Sequence, residues 1–232
     1  MNLLRLFPAS SSPEASLIAR YRHLSTPTIS DSLERAFGVI GLFPIGDCLA
    51  SLGGEAMAGP ALTVRTRPGD NLVVHKALDL ARPGDILVID AGGEVVNAIL
   101  GELISLYAAR RGIAGLVVDG AIRDKMAISA GPLPVFARGV SHRGPYKSGP
   151  GEIHGPVSLG GVPVHDGDII VGDADGIVVV PRARAEATAK AAEEVVTREQ
   201  EQRKAIERGE WDRSWIDESL KIAEGSCCVS KG

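Results

Sequence analysis

The chain has 232 residues, 44% of them hydrophobic and 23% charged, which is ordinary for a globular protein and suits one α/β domain with a terminal extension. A formal net charge of −4, without a basic stripe interleaved with aromatics, argues against a nucleic-acid partner. Aromatics make up only 4%, so the core must come from Val, Ile, Leu and Ala, as in parallel sheets covered by helices.

The first eight residues are too short and too lightly apolar for a secretion signal, and no apolar run reaches the roughly 18 residues of a membrane span. Cys48, Cys227 and Cys228 lack metal or disulfide spacing. A reduced, cytoplasmic chain with no membrane partner is expected. Residues 8–14 read as a turn or disordered arm, followed by a helix over 14–23. A second helix enters at 25–33 with Thr28 or Ser30 as its cap. Residues 41–55 are loop-rich, and 61–66 alternate as a strand does. A Pro-Gly-Asp turn at 68–70 leads into a helix over 71–80, and a second at 83–85 leads into an apolar run at 86–90 that reads as a strand buried on both faces.

A helix is predicted over 97–111 from Ile99, Leu100, Leu103, Ile104 and Tyr107, with Gly112 past its end. Residues 115–120 read as the next buried strand, 123–129 as a short helix and 135–139 as a strand. The Gly-, Pro- and His-rich stretch 141–155 is a loop long enough to be functional. Four short strands follow at 156–158, 162–164, 169–172 and 176–180. Residues 182–208 form a charged helix, and Trp211 and Trp215 share one face of a last short helix. The middle of the chain therefore predicts a mixed, largely parallel sheet.

Chemistry concentrates where Glu102 is separated by twenty residues from Arg123-Asp124. Arg123 and Asp124 follow the carboxyl end of a buried strand, where open α/β sheets bind ligands. Asp124 can hold a hard dication that keeps most of its waters, and Glu102 can hold one of those waters. The Arg123 fork suits a carboxylate or an enolate oxygen. The plain alternatives are an Asp that complements a helix dipole and a Glu that faces solvent.

His75 reads as a partly buried helical histidine, with a place in the pocket as the alternative. His142, Arg143, Tyr146, Lys147 and His154 sit in the long loop, either lining a site or solvated. Asp166, Asp168, Asp173 and Asp175 read as turn residues rather than a second metal site.

The segments 84–88, 97–103 and 115–124 together resemble one family: the 4-hydroxy-4-methyl-2-oxoglutarate / 4-carboxy-4-hydroxy-2-oxoadipate aldolases and the related regulator of ribonuclease activity A. The resemblance continues through Gly139-Val140-Ser141, Gly149-Pro150-Gly151-Glu152 and residues 167–176, and spans about 25–200. It implies a layered α/β/β-type swivelling domain over 25–181, preceded by an arm and helix over 1–24. Helices over 182–232 would pack on a neighbouring subunit of a trimer or hexamer.

It also implies a class II pyruvate aldolase using Mg²⁺, or Mn²⁺, on a 4-hydroxy-2-oxo acid, with oxaloacetate decarboxylation on the side. Asp124 would hold the metal, and Arg123 would contact the substrate and the pyruvate enolate. Gly101, Glu102, Leu103 and Ile104 would cradle the substrate carboxylate, and Glu199 would reach the site from a neighbouring subunit. An acidic residue twenty positions before Arg-Asp marks the aldolases against the regulators. Glu102 stands where Asp is usual. A regulator that inhibits a ribonuclease or helicase, and a dedicated oxaloacetate decarboxylase, are the alternatives.

Overall fold

In the computed structural model, which describes residues 3–220, the chain divides into two compact units at Glu193/Glu194. The first unit runs, in order, β1 (Leu4–Leu6), α1 (Ala15–Arg22), α2 (Thr26–Ser32), β2 (Gly38–Val39), β3 (Phe43–Pro44), β4 (Met57–Thr66), α3 (Leu72–Leu80), β5 (Ile86–Asp90), β6 (Ala98–Leu100) and α4 (Glu102–Arg110). It continues with β7 (Gly115–Ile122), α5 (Lys125–Ser129), β8 (Val135–Val140), β9 (Gly151–Ile153), β10 (Val157–Leu159), β11 (Val162–Val164), β12 (Ile169–Asp173), β13 (Gly176–Val180) and the start of α6 (Ala185–Glu207).

The main sheet follows the order β2-β13-β12-β4-β5-β7-β8-β3. Its centre, β4-β5-β7-β8, is parallel, while β12, β13 and the short edge strands pair antiparallel. Alternating residues of the central strands explain the unbroken apolar runs. Leu62, Val64, Leu87, Ile89, Leu116 and Val118 face α3, α4 and α5. Ala61, Ile86, Val88 and Val117 face the hairpin of β10 and β11, whose Val157, Leu159, Val162 and Val164 cover them. One helical layer, one sheet and one β-hairpin layer make the expected α/β/β arrangement. Both faces are covered, so nothing on the central strands needs to be polar.

Several boundaries differ from those predicted. Residues 98–100 form β6 rather than the first turn of a helix, and α4 begins only at Glu102. All three β6 residues are buried beside β7, and an apolar triplet satisfies a buried strand as well as a helix face. The cap of α2 is Ser25, whose Oγ accepts from the Thr28 N–H at 3.4 Å. Asp173 holds the same helix start by accepting from the Thr26 N–H and hydroxyl at 2.8 and 2.6 Å.

Residues 4–6 add a strand to β9, inside what reads as a loop from sequence. The arm that follows is anchored, with the Ser10 N–H donating to Asp166 Oδ2 at 2.8 Å.

The second unit holds the rest of α6 and α7 (Trp215–Leu220). Trp211 precedes α7 rather than sharing a helical face with Trp215. The Arg213 guanidinium stands 5.5 Å from its ring centre. Cys227 and Cys228 lie outside the described residues.

Candidate active site

Parallel pairing puts the carboxyl ends of β4, β5, β6 and β7 at one end of the sheet. β6 lies beside the end of β7, with Ala98 opposite Ala121 and Leu100 opposite Ile122. That pairing closes the twenty-residue interval. The Arg123 N–H donates to Leu100 O at 2.9 Å, and the next residues of each segment become neighbours. The Glu102 N–H then donates to Asp124 Oδ2 at 3.1 Å, and Arg123 Nε stands 3.7 Å from the same oxygen. A carboxylate at the start of α4 is favoured by the helix dipole.

Two backbone features make this approach work. Gly101 leaves no room for a side chain, since a Cβ there would lie 2.3 Å from Asp124 Oδ2 and 2.9 Å from Arg123 Cγ. Asp124 is left-handed, at φ 58° and ψ 38°, a conformation that Asp tolerates better than most residues. Such strain at a carboxylate facing a cleft is the kind that functional sites retain.

The cleft encloses about 270 Å³ and is lined by Gly101, Leu103, Ile104, Arg123 and Asp124. Asn71 and His75 of the α3 region and Gly144, Pro145 and Lys147 of the 141–150 loop line it as well. Ser105 N–H is bonded to Gly101 O, so the Leu103 and Ile104 N–H groups precede the first intrahelical bond. Arg123, Lys147 and those amides bring positive charge to a cleft whose lining holds the single carboxylate of Asp124.

Burial, aided by the Lys147 charge, pushes the His75 imidazole below the usual histidine range, against a weaker opposite pull from Asp79. His75 is therefore neutral at neutral pH. Asn71 donates from Nδ2 to Ile99 O at 2.9 Å, which leaves its buried Oδ1 without a protein partner.

Of the residues singled out in the sequence, Gly101, Leu103, Ile104, Arg123 and Asp124 meet in this cleft. Glu102 is at the first position of α4, and its exposed side chain is not among the lining groups. Glu199 lies on α6 in the second unit, exposed. His75 and Lys147 join the cleft, whereas His154 does not. Its Nδ1 is bonded to Asp166 at 2.8 Å in a separate pocket at the opposite end of β4.

Asp168 and Asp173 each accept a local backbone N–H, from His165 and Asp175, as expected of turn residues, and each also accepts a distant one, from Arg182 and Thr26, whereas Asp166 bonds the distant Ser10, Thr63 and His154. Asn71, Gly144 and Pro145 were not anticipated; the one signal for Asn71 is its place just after the Pro-Gly-Asp turn.

Among the described residues no three His, Cys, Asp or Glu side chains converge as a metal cage. Asp124 is the one carboxylate in the lining of the cleft, so the donor set would suit only a hard dication that keeps most of its waters.

The family model described as Aldolase/RraA, RraA-like, matches residues 26–179. The chain belongs to the RraA-like family. A protein of Halalkalibacterium halodurans, provisionally named a 4-hydroxy-4-methyl-2-oxoglutarate aldolase, is 44% identical over 177 residues, 76% of this chain and 81% of the relative. An Ectopseudomonas mendocina protein of the same provisional name is 33% identical, covering 69% of this chain and 96% of its own.

Among solved structures, Streptomyces coelicolor RraAS2, described as an unusual member of the RNase ES inhibitor RraA family, aligns at a TM-score of 0.75. It has 29% identity and covers 84% of this chain and 98% of its own. The family thus spans proteins named for aldol cleavage and proteins named for inhibition of a ribonuclease.

Proposed function

We propose that the protein is a divalent-metal-dependent lyase that cleaves a 4-hydroxy-2-oxo acid to pyruvate and a second oxo acid. The observation that carries this reading is the meeting of Arg123, Asp124 and the amino end of α4 in one cleft of about 270 Å³. A dication on Asp124 would supply Lewis-acid polarisation of the 2-oxo group. The Leu103 and Ile104 amides receive the substrate carboxylate, and the Arg123 fork bonds the 2-oxo oxygen.

A base takes the C4 hydroxyl proton; the candidate is a water or hydroxide held by Glu102, whose exposed side chain would have to turn toward the cleft. The C3–C4 pair then moves into the 2-oxo group as C4 becomes a carbonyl. Arg123 stabilises the enolate charge, and protonation at C3 yields pyruvate. Oxaloacetate losing carbon dioxide reaches the same enolate, so decarboxylation is an expected side activity.

Assembly as a homo-oligomer belongs to the same reading. Leu103, Leu106 and Tyr107 of α4 and Met126 of α5 are exposed beside the cleft, and apolar surface of this kind marks an interface. In this reading Glu199 of a neighbouring copy would complete the site. We place the protein in the cytoplasm; among the described residues no helix is long and apolar enough to cross a membrane.

The deciding experiment measures pyruvate release from 4-hydroxy-4-methyl-2-oxoglutarate with Mg²⁺ or Mn²⁺, and its loss on chelation. Faster turnover of oxaloacetate than of hydroxylated substrates would reassign the enzyme as a decarboxylase. The similarity to RraAS2 favours a second reading, a regulator that binds a ribonuclease. Absence of turnover together with ribonuclease inhibition would establish that one instead.

A further inference from the structure

Asp70 closes the Pro68-Gly69-Asp70 turn between β4 and α3, and it is fully buried. Its Oδ1 accepts the Leu72 N–H at 2.9 Å, at the start of α3. Its Oδ2 accepts the Ser148 N–H at 2.6 Å and the Gly149 N–H at 3.1 Å. Two chain segments far apart in sequence thus share one carboxylate.

The backbone repeats the connection, since the Tyr146 N–H donates to Gly69 O and the Asn71 N–H to Tyr146 O. A turn needs only a local acceptor. A buried carboxylate that takes three amide protons, two of them from a loop 78 and 79 residues away, does more.

The loop has a second, independent anchor. Asn97 Nδ2 donates to Gly144 O at 2.7 Å, and the Ala98 N–H to Arg143 O at 2.8 Å. That anchor holds the stretch near Arg123, whose Nη1 would be 3.0 Å from a Cβ added at Gly144. Asp70 holds the stretch that carries Lys147. Asn71, which follows Asp70 directly, and His75 of α3 line the same cleft.

We propose that Asp70 is a positioning residue, whose carboxylate clamps the 146–149 stretch to the start of α3 and so sets Lys147 in the lining of the cleft that holds Arg123 and Asp124. The inference rests on the lyase reading for its kinetic consequence, but the clamp itself is measurable without turnover. Under that reading Lys147, a cation in the lining, serves substrate binding rather than bond cleavage, and Arg123 and Asp124 keep their own bonds to Leu100 and Glu102. Loss of the clamp should therefore weaken ground-state binding more than the chemical step.

The test compares Asp70→Ala and Asp70→Asn in the full chain with amide hydrogen exchange and steady-state kinetics. In Asp70→Ala, exchange at 146–149 should rise by about tenfold while β12 and β13 stay protected. KM should rise by about tenfold with kcat within about threefold of wild type. Asp70→Asn, which keeps one carbonyl oxygen for the loop amides, should recover most of both losses. Should Asp70→Ala not fold, Asp70→Asn alone must still show the same pattern at smaller amplitude.

The proposal is overturned by wild-type protection of 146–149 in a folded Asp70→Ala protein. A loss of kcat at constant KM, or exchange that accelerates equally everywhere, overturns it too. A wild-type protein without turnover refutes the lyase reading while the exchange result still decides the clamp.

Discussion

Gly101 offers the sharpest perturbation, because its backbone tolerates any residue and its surroundings tolerate none. At φ −147° and ψ −161° it is extended, so an alanine there strains nothing in the chain. The added Cβ, however, would sit 2.3 Å from Asp124 Oδ2, where ordinary contact begins at 3.4 Å. The carboxylate must retreat by about 1 Å, which breaks its 3.1 Å bond from the Glu102 N–H. Arg123 Cγ, 2.9 Å from the same point, must move as well.

Displacing reacting groups by about 1 Å costs on the order of 100-fold, or about 2.7 kcal/mol of transition-state stabilisation. Folding should suffer far less. Both displaced side chains are nearly half exposed and can swing into solvent, and losing a glycine restricts the unfolded chain in compensation. Gly101→Ala should therefore lower kcat/KM for pyruvate release by about two orders of magnitude, with a stability change of about 1 kcal/mol or less. A coupled assay of pyruvate formation, paired with urea unfolding, measures both. A folded Gly101→Ala protein within about threefold of wild-type kcat/KM would refute the assignment of Asp124 and Arg123 to the reacting centre.

Further expectations follow from the same geometry. Arg123→Lys keeps the charge and loses the fork, so kcat/KM should fall by about 10- to 100-fold; near-normal turnover would remove its role on the 2-oxo oxygen. Lys147→Met removes the cation beside His75, and the imidazole titration followed by NMR should move upward toward the ordinary histidine range. An unmoved titration would mean that Lys147 does not face His75.

Burial raises the Asp85 carboxyl above its usual range, so the folded state holds a proton that the unfolded state has already lost. Native stability therefore falls as pH climbs from the unfolded pKa through the folded one. Asp85→Asn should gain on wild type as pH rises above the usual carboxylate range in thermal melts, with the two proteins closest at the acid end. A difference that stays constant with pH contradicts the assignment.

Much of the fold is legible because burial imposes patterns on sequence. The runs at 86–90 and 115–120 read as strands since both faces of the central sheet are covered, and α3 shows in its helical spacing. β6 was not legible. Its three apolar residues satisfy a helix face as readily as a strand, and only the neighbouring β7 settles the matter. β1 and β9 are three residues each and draw their pairing from positions about 147 residues apart, which no local pattern encodes. Trp211 and Trp215 show the reverse error, a helical spacing without a helix across it.

For the candidate site, the residue types at 101–104 and 123–124 were readable because their chemistry is local to two segments. Asn71, Gly144 and Pro145 were not, because they join the cleft only through tertiary contacts. By itself the sequence determined the layered α/β class, the family and the Arg-Asp pair at the end of β7. The tertiary structure alone decided that β6 brings Gly101 against Asp124, that Glu102 reaches that carboxylate through its backbone amide, and that Asp70 draws a distant loop onto the cleft. The physical reason is that hydrophobic period and turn chemistry act over a few residues. Close approach, shared acceptors and orphaned polar atoms are properties of segments that meet only after the sheet has formed.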